Sequence, residues 1–119
     1  MQLSKNFKST EFQCKCCKQL PQEGMNPHLI ELLQDIRDAI GKSISITSGY
    51  RCQKHNQKVK GAKLSQHVLG NASDIQVSGM SAADVHKFLL EHFDDRIGGL
   101  GKYPTFTHVD CRTGTKWRG

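Results

Sequence analysis

The sequence predicts an α+β fold, a small and mainly antiparallel sheet with helices packed against it. Two stretches, 27–40 and 82–93, place apolar residues at helical spacing, while 43–48, 73–77 and 106–111 alternate with the period of a strand. At 119 residues the chain supports one hydrophobic core and not comfortably two, so a single domain spanning 1–119 is expected.

Residues 1–25 are polar, with Leu3, Phe7, Phe12 and Leu20 as isolated anchors before the turn signal Pro21-Gln-Glu-Gly24. They read as an irregular arm held on the domain by its phenylalanines. Asn26 caps the first helix, Pro27 suits its first position, and Gly41 stops it. Its buried stripe is Leu29, Leu32, Leu33, Ile36 and Ile40; Glu31, Asp35, Arg37 and Asp38 fall on the solvated side.

Ser43 to Ser48 follows as a strand with Ile44 and Ile46 on its core side, leaving Arg51 near the strand's end, where functional side chains are often presented. Residues 52–59 suit a helical turn or two, and Lys60-Gly-Ala-Lys63 a flexible loop. In Ser73 to Val77 alternation sends Asp74 and Gln76 to one face, Ile75 and Val77 to the other. Ser81 caps a second helix whose buried face is Ala82, Val85, Phe88 and Leu89.

The glycine-rich run from Arg96 to Tyr103 precedes a strand and lacks the lysine and hydroxyl residue of a phosphate cradle. Close backbone approach, lining a groove for an extended substrate, suits it better. Phe106 to Cys111 is expected to close the sheet, with Phe106, His108 and Asp110 on one face, and the tail around Trp117 to add an edge strand.

A net charge of +6, scattered along the chain, favours anionic partners such as bacterial wall without choosing among them. Nucleic acid is not expected, because basic and aromatic residues do not interleave as a strand-tracking surface requires. No run approaches the roughly 20 apolar residues of a membrane span. The N-terminal residues lack the apolar core of a secretory signal, so the protein is expected to be cytoplasmic and to reach anything outside only by another exit route. A monomer is expected.

Five cysteines leave at least one thiol without an intrachain partner. Cys14, Cys16 and Cys17 crowd together while Cys52 and Cys111 lie far off in sequence. Free thiols, one structural disulfide, or a second metal site near the N-terminus all remain open.

Six histidines are present, and a lone histidine is usually a surface or satisfied core residue. His28, His86 and His92 sit in helical stretches and His55 in a polar one. His67 and His108 differ, each lying beside a glycine-marked turn or short strand with an acid nearby. Together with Asp74 they make a three-ligand set for zinc, which in hydrolases leaves a fourth position for water. The His-x6-Asp spacing alone is not specific.

Three motifs in order carry a resemblance. Ser48-Gly-Tyr-Arg51, Ser65-x-His67-x-x-Gly70-x-Ala72-x-Asp74-Ile75 and His108-x-Asp110 are similar to the zinc D-alanyl-D-alanine carboxypeptidase family of peptidoglycan peptidases, which includes phage endolysins. The likeness runs over 43–112, and Asn6-Phe7 to Cys17 is similar to the start of small single-domain members. It implies a hedgehog/DD-peptidase-like fold and Zn2+ held by His67, Asp74 and His108. It also implies a peptidoglycan stem peptide as substrate, cleaved by carboxypeptidase or endopeptidase action.

By the same resemblance Arg51 lies near the scissile group, where a guanidinium stabilises developing negative charge. Ser65 and Gly70 fix the turn that aims His67, and Ser65 joins Arg51 and Tyr103 as candidate substrate contacts. Many relatives carry an acid three residues before the last histidine ligand; here that position is Thr105. Asp110 is either its replacement as catalytic base or a partner orienting an imidazole; failing Asp110, Tyr103 or His92 is the candidate base. The rival function is a non-catalytic zinc-binding module that recognises wall peptide or a protein partner.

Overall fold

A computed structural model describes residues 1–61 and 65–119. The expected loop at 60–63 therefore lies partly outside the described residues. Helix α1 spans Pro27–Ile40, α2 Gln53–Lys58 and α3 Ala82–His92. Strands β1 (Ile44–Ser48), β2 (Ala72–Val77), β3 (Gly99–Lys102), β4 (Thr107–Asp110) and β5 (Trp117–Arg118) form one sheet in the order β1-β2-β4-β3-β5. Neighbours are antiparallel except β3 and β5, so the α+β, mainly antiparallel expectation holds.

The ends of α1 follow from its sequence. Asn26 accepts the His28 N–H at 2.9 Å, Pro27 begins the helix, and Gly41 turns left-handed at φ 69° while its N–H donates to the Arg37 carbonyl. Such a cap is worth about 1 kcal/mol. Leu29, Leu32, Leu33 and Ile36 are buried as expected; Ile30 joins them, and Ile40 is only half-buried. In α3 Ser81 accepts the Asp84 N–H, Val85 and Leu89 are buried, and Ala82 and Phe88 sit half-buried at the margin of that face.

Both helices share one hydrophobic cluster with Ile44, Ile75, Val77, Leu100 and Val109 of the sheet. Phe7 and Phe12 of the N-terminal segment are fully buried in the same cluster. A short 3₁₀ turn at Ser9–Phe12 brings the Phe12 carbonyl to accept the Tyr50 N–H at 2.9 Å, beside the end of β1.

Two expectations need correction. The segment around β4 does not close the sheet but forms its centre, between β2 and β3. The glycine-rich run does not merely precede a strand: it contains β3, which turns back into β4 with the Tyr103 N–H donating to the Phe106 carbonyl. Its glycines do serve close approach, to this chain's own side chains. A Cβ at Gly99 would collide with the Asp110 carboxylate, and one at Gly101 would come within 2.8 Å of the Trp117 ring.

Candidate metal centre

Strand register sets the site. Ser48, Asp74, His108 and Gly101 pair in turn across β1, β2, β4 and β3, making one transverse row, with Ala72, Asp110 and Gly99 two residues along in the next row of the same face. Directly opposed residues of neighbouring strands project to the same face. Asp74 and His108 therefore emerge side by side, and the small residues flanking them leave room for imidazole and carboxylate.

His67 reaches this row from the turn before β2. Ser65 accepts the His67 N–H through its hydroxyl at 3.1 Å, and Gly70 closes the turn at φ 75°. A left-handed residue there suits glycine. His67 is buried, its Nδ1 2.8 Å from the Gly49 carbonyl and its Nε2 3.2 Å from Asp74 Oδ1. His108 lies with Nδ1 3.0 Å from the same Oδ1 and Nε2 2.7 Å from Asp110 Oδ2.

The partners dictate the tautomers. A carbonyl oxygen only accepts, so His67 Nδ1 carries its proton and Nε2 is bare. An ionised carboxylate likewise only accepts, and His108 has one on each side, Asp110 at Nε2 and Asp74 at Nδ1; with Nε2 protonated toward Asp110, Nδ1 is left either to a cation or to a second proton shared with Asp74. Burial raises the Asp110 carboxyl, but hydrogen bonds from His108 and Arg112 lower it by more, well below the usual carboxylate range. Two lone pairs and a carboxylate oxygen thus face one another, an arrangement that calls for a proton or a cation between them.

The donor set fits zinc. One ligand atom from each of His67, Asp74 and His108 lies within 4.8 Å of the other two, and the two Asp74 distances, 3.0 and 3.2 Å, approach the separation of about 3.3 Å that tetrahedral Zn–N and Zn–O bonds imply. Without a cation a shared proton takes that place. Burial lowers His108, but Asp110 and Asp74 raise it by more. Burial raises Asp74, yet the imidazoles of His108 and His67 beside it hold it at about 2.

The centre forms the floor of a cleft of about 510 Å³. Arg51 stands on one wall, its guanidinium near Ser48 Oγ, Asn56 Oδ1 and, at 3.5 Å, Asp74 Oδ2. Tyr103, stacked on Phe106 at 4.7 Å, and Trp117, edge-on to His108 at 5.7 Å, stand on the other. Ser65 also lines the cleft, and Lys60 and Arg112 add positive charge. Among the described residues Asp74 is the only acid lining it.

The family model for Peptidase M15 matches residues 5–110. The chain belongs to peptidase family M15.

This M15 chain is 29% identical over 104 residues to the peptidoglycan L,D-endopeptidase MepK of Escherichia coli (strain K12), covering 80% of the chain and 56% of that protein. It is 33% identical over 105 residues to the probable peptidoglycan L,D-endopeptidase MepK of Haemophilus influenzae, covering 80% and 55%. The chain spans about half the length of these curated relatives.

The M15 fold brings His67, Asp74, His108, Arg51, Ser65 and Tyr103 together at the cleft and sets Asp110 behind it. Asp110 is fully buried, with both oxygens bonded to Arg112 as well as Oδ2 to His108. Thr105 lies at a separate, smaller cavity, and His92 is exposed at the end of α3 against Phe88. Sequence reasoning missed Arg112, Asn56 and the site role of Trp117. An arginine two residues after Asp110 was the available signal for the first.

Proposed function

We propose that this protein is a zinc-dependent peptidase that cleaves a peptide bond in the bacterial peptidoglycan stem. The observation that carries it is the convergence of His67 Nε2, Asp74 Oδ1 and His108 Nδ1 on one cleft floor in an M15 chain. The activity in the names of the two relatives supports an endopeptidase acting on an L,D bond over a carboxypeptidase.

A zinc ion held by His67, Asp74 and His108 supplies Lewis-acid polarisation of the scissile carbonyl and a water acidified toward neutrality. Arg51, tethered by Ser48 and Asn56, presents N–H groups beside the centre where negative charge develops on the carbonyl oxygen. Arg51, Lys60 and Arg112 favour a substrate bearing carboxylates, as wall stem peptides do. Tyr103, Phe106 and Trp117 offer apolar surface to its side chains, and Ser65 holds the His67 turn.

Asp110 acts as a positioning residue in this reading. It fixes the His108 tautomer, while the Arg112 fork keeps it ionised and immobile. No second acid among the described lining residues is available as general base, a lack that typically costs 10²–10⁴-fold, roughly, in rate. The same lack favours the second reading, a zinc-binding module that holds wall peptide without cutting it.

Mass analysis of purified peptidoglycan after incubation separates the two. New stem-peptide ends at an L,D bond support the peptidase, whereas retention of the protein on the wall with every stem intact supports the binding module.

A further inference from the structure

A second group of metal-ligating side chains lies outside the cleft. The sulfur atoms of Cys14, Cys17 and Cys52 all fall within 4.8 Å of one another, and Cys14 Sγ is 3.6 Å from Cys52 Sγ. Tetrahedral Zn–S bonds of about 2.3 Å place sulfur atoms about 3.8 Å apart. All three thiols are free.

The backbone is shaped around these sulfurs from two directions. After Cys17 the chain turns at Lys18, a non-glycine residue in the left-handed region at φ 59°, and the Lys18 N–H returns to the Cys14 carbonyl at 2.8 Å. Residues held in such conformations cluster at functional sites. Cys52, far away in sequence, begins α2, its Sγ accepting the His55 N–H at 3.4 Å, while its own N–H points to Cys14 Sγ at 3.4 Å. Amide donors aimed at sulfur favour the thiolate, the form that binds metal. Burial raises the Cys14 thiol, but N–H groups of Cys52, Cys17 and Cys16 lower it by more, to about 7 from 9.0.

We propose that Cys14, Cys17 and Cys52 form a second metal site, a three-thiolate centre that takes a thiophilic divalent cation of the zinc class with solvent in the fourth position. A disulfide between Cys14 and Cys52 would use two of the sulfurs and leave Cys17 without a role. The metal would tie the N-terminal segment to the loop that runs from β1 to the start of α2. There Gly49 packs so tightly on Phe12 that a Cβ would lie 2.7 Å from the Phe12 Cα, and the Gly49 carbonyl holds His67. The thiolate centre thus braces the loop that carries Arg51 and orients His67, and it stands independently of the peptidase reading.

Cobalt substitution tests it. Fully reduced protein loaded with Co2+ should show a thiolate-to-cobalt charge-transfer band that Cys14→Ser and Cys52→Ser abolish and that His67→Ala and Cys111→Ser retain. A readout on the unaltered chain guards against misfolded variants: metal should shield Cys14, Cys17 and Cys52 from alkylation while exposed Cys16 stays reactive. Absence of the band from reduced wild-type protein, alkylation equal with and without metal, or a Cys14–Cys52 disulfide whose reduction brings no thiolate-bound metal would each overturn the proposal.

Discussion

His108 Nε2 lies 2.7 Å from Asp110 Oδ2, which accepts its proton, and this leaves Nδ1, 3.0 Å from Asp74 Oδ1, as the nitrogen that would meet a metal. One hydrogen bond on the far side of the ring therefore decides which nitrogen faces the cleft. Asp110→Asn removes the ionised acceptor and allows the amide to meet either ring nitrogen. Zinc affinity should fall about 10–100-fold, as it does for such outer partners. Excess zinc should recover much of the turnover, measured by metal titration alongside peptide release. Unchanged affinity with lost turnover would instead make Asp110 the proton acceptor.

Arg51→Lys keeps the charge but loses the planar fork that Ser48 and Asn56 hold. We expect kcat to fall about 10²–10³-fold, the usual cost of a missing oxyanion donor. Zinc content should stay that of wild type by elemental analysis. A change confined to KM would assign Arg51 to substrate binding alone.

Gly99→Ala places a methyl group against the Asp110 carboxylate, from a strand packed between β4 and β5. Overpacking of this kind costs about 1–3 kcal/mol, to be read from urea unfolding. The same variant should weaken zinc binding, because it displaces the partner of His108. Stability and affinity that both match wild type would contradict the packing argument.

The docking of β5 should depend on pH through Asp94. Hydrogen bonds from Arg118 lower the Asp94 carboxyl below its ordinary value. A depressed folded pKa gives stabilisation that is complete above about 3.9 and lost as pH falls through the lowered value. Trp117, the only tryptophan, sits in β5 and reports on it by fluorescence. Its emission should shift red on acidification, and Asp94→Asn should show the shifted emission already at neutral pH. Emission identical in variant and wild type at neutral pH would rule out this anchor.

Much of this arrangement is legible in the sequence, for reasons tied to particular residues. Asn26, Pro27 and Gly41 mark α1 because caps are local chemistry, and alternation puts Asp74 on the opposite face from Ile75 because strands have period two. The central place of β4 is not legible, since alternation tells which face a side chain takes and nothing about which strand lies beside it. The roles of Gly99 and Gly101 stay hidden for the same cause: each is explained by a partner, Asp110 or Trp117, that only the register supplies. Cys52 joins Cys14, 38 residues away, and its neighbour Cys17 through the tertiary fold, beyond the reach of any local spacing rule.

The central claim is that His67, Asp74 and His108 hold a zinc ion that cuts wall peptide. Release of new amines from purified peptidoglycan should stop when the protein is stripped by chelator, return on adding zinc, and be absent from His67→Ala under both conditions. Cleavage that persists after the metal is removed, or none from folded, zinc-loaded wild-type protein, would contradict the account.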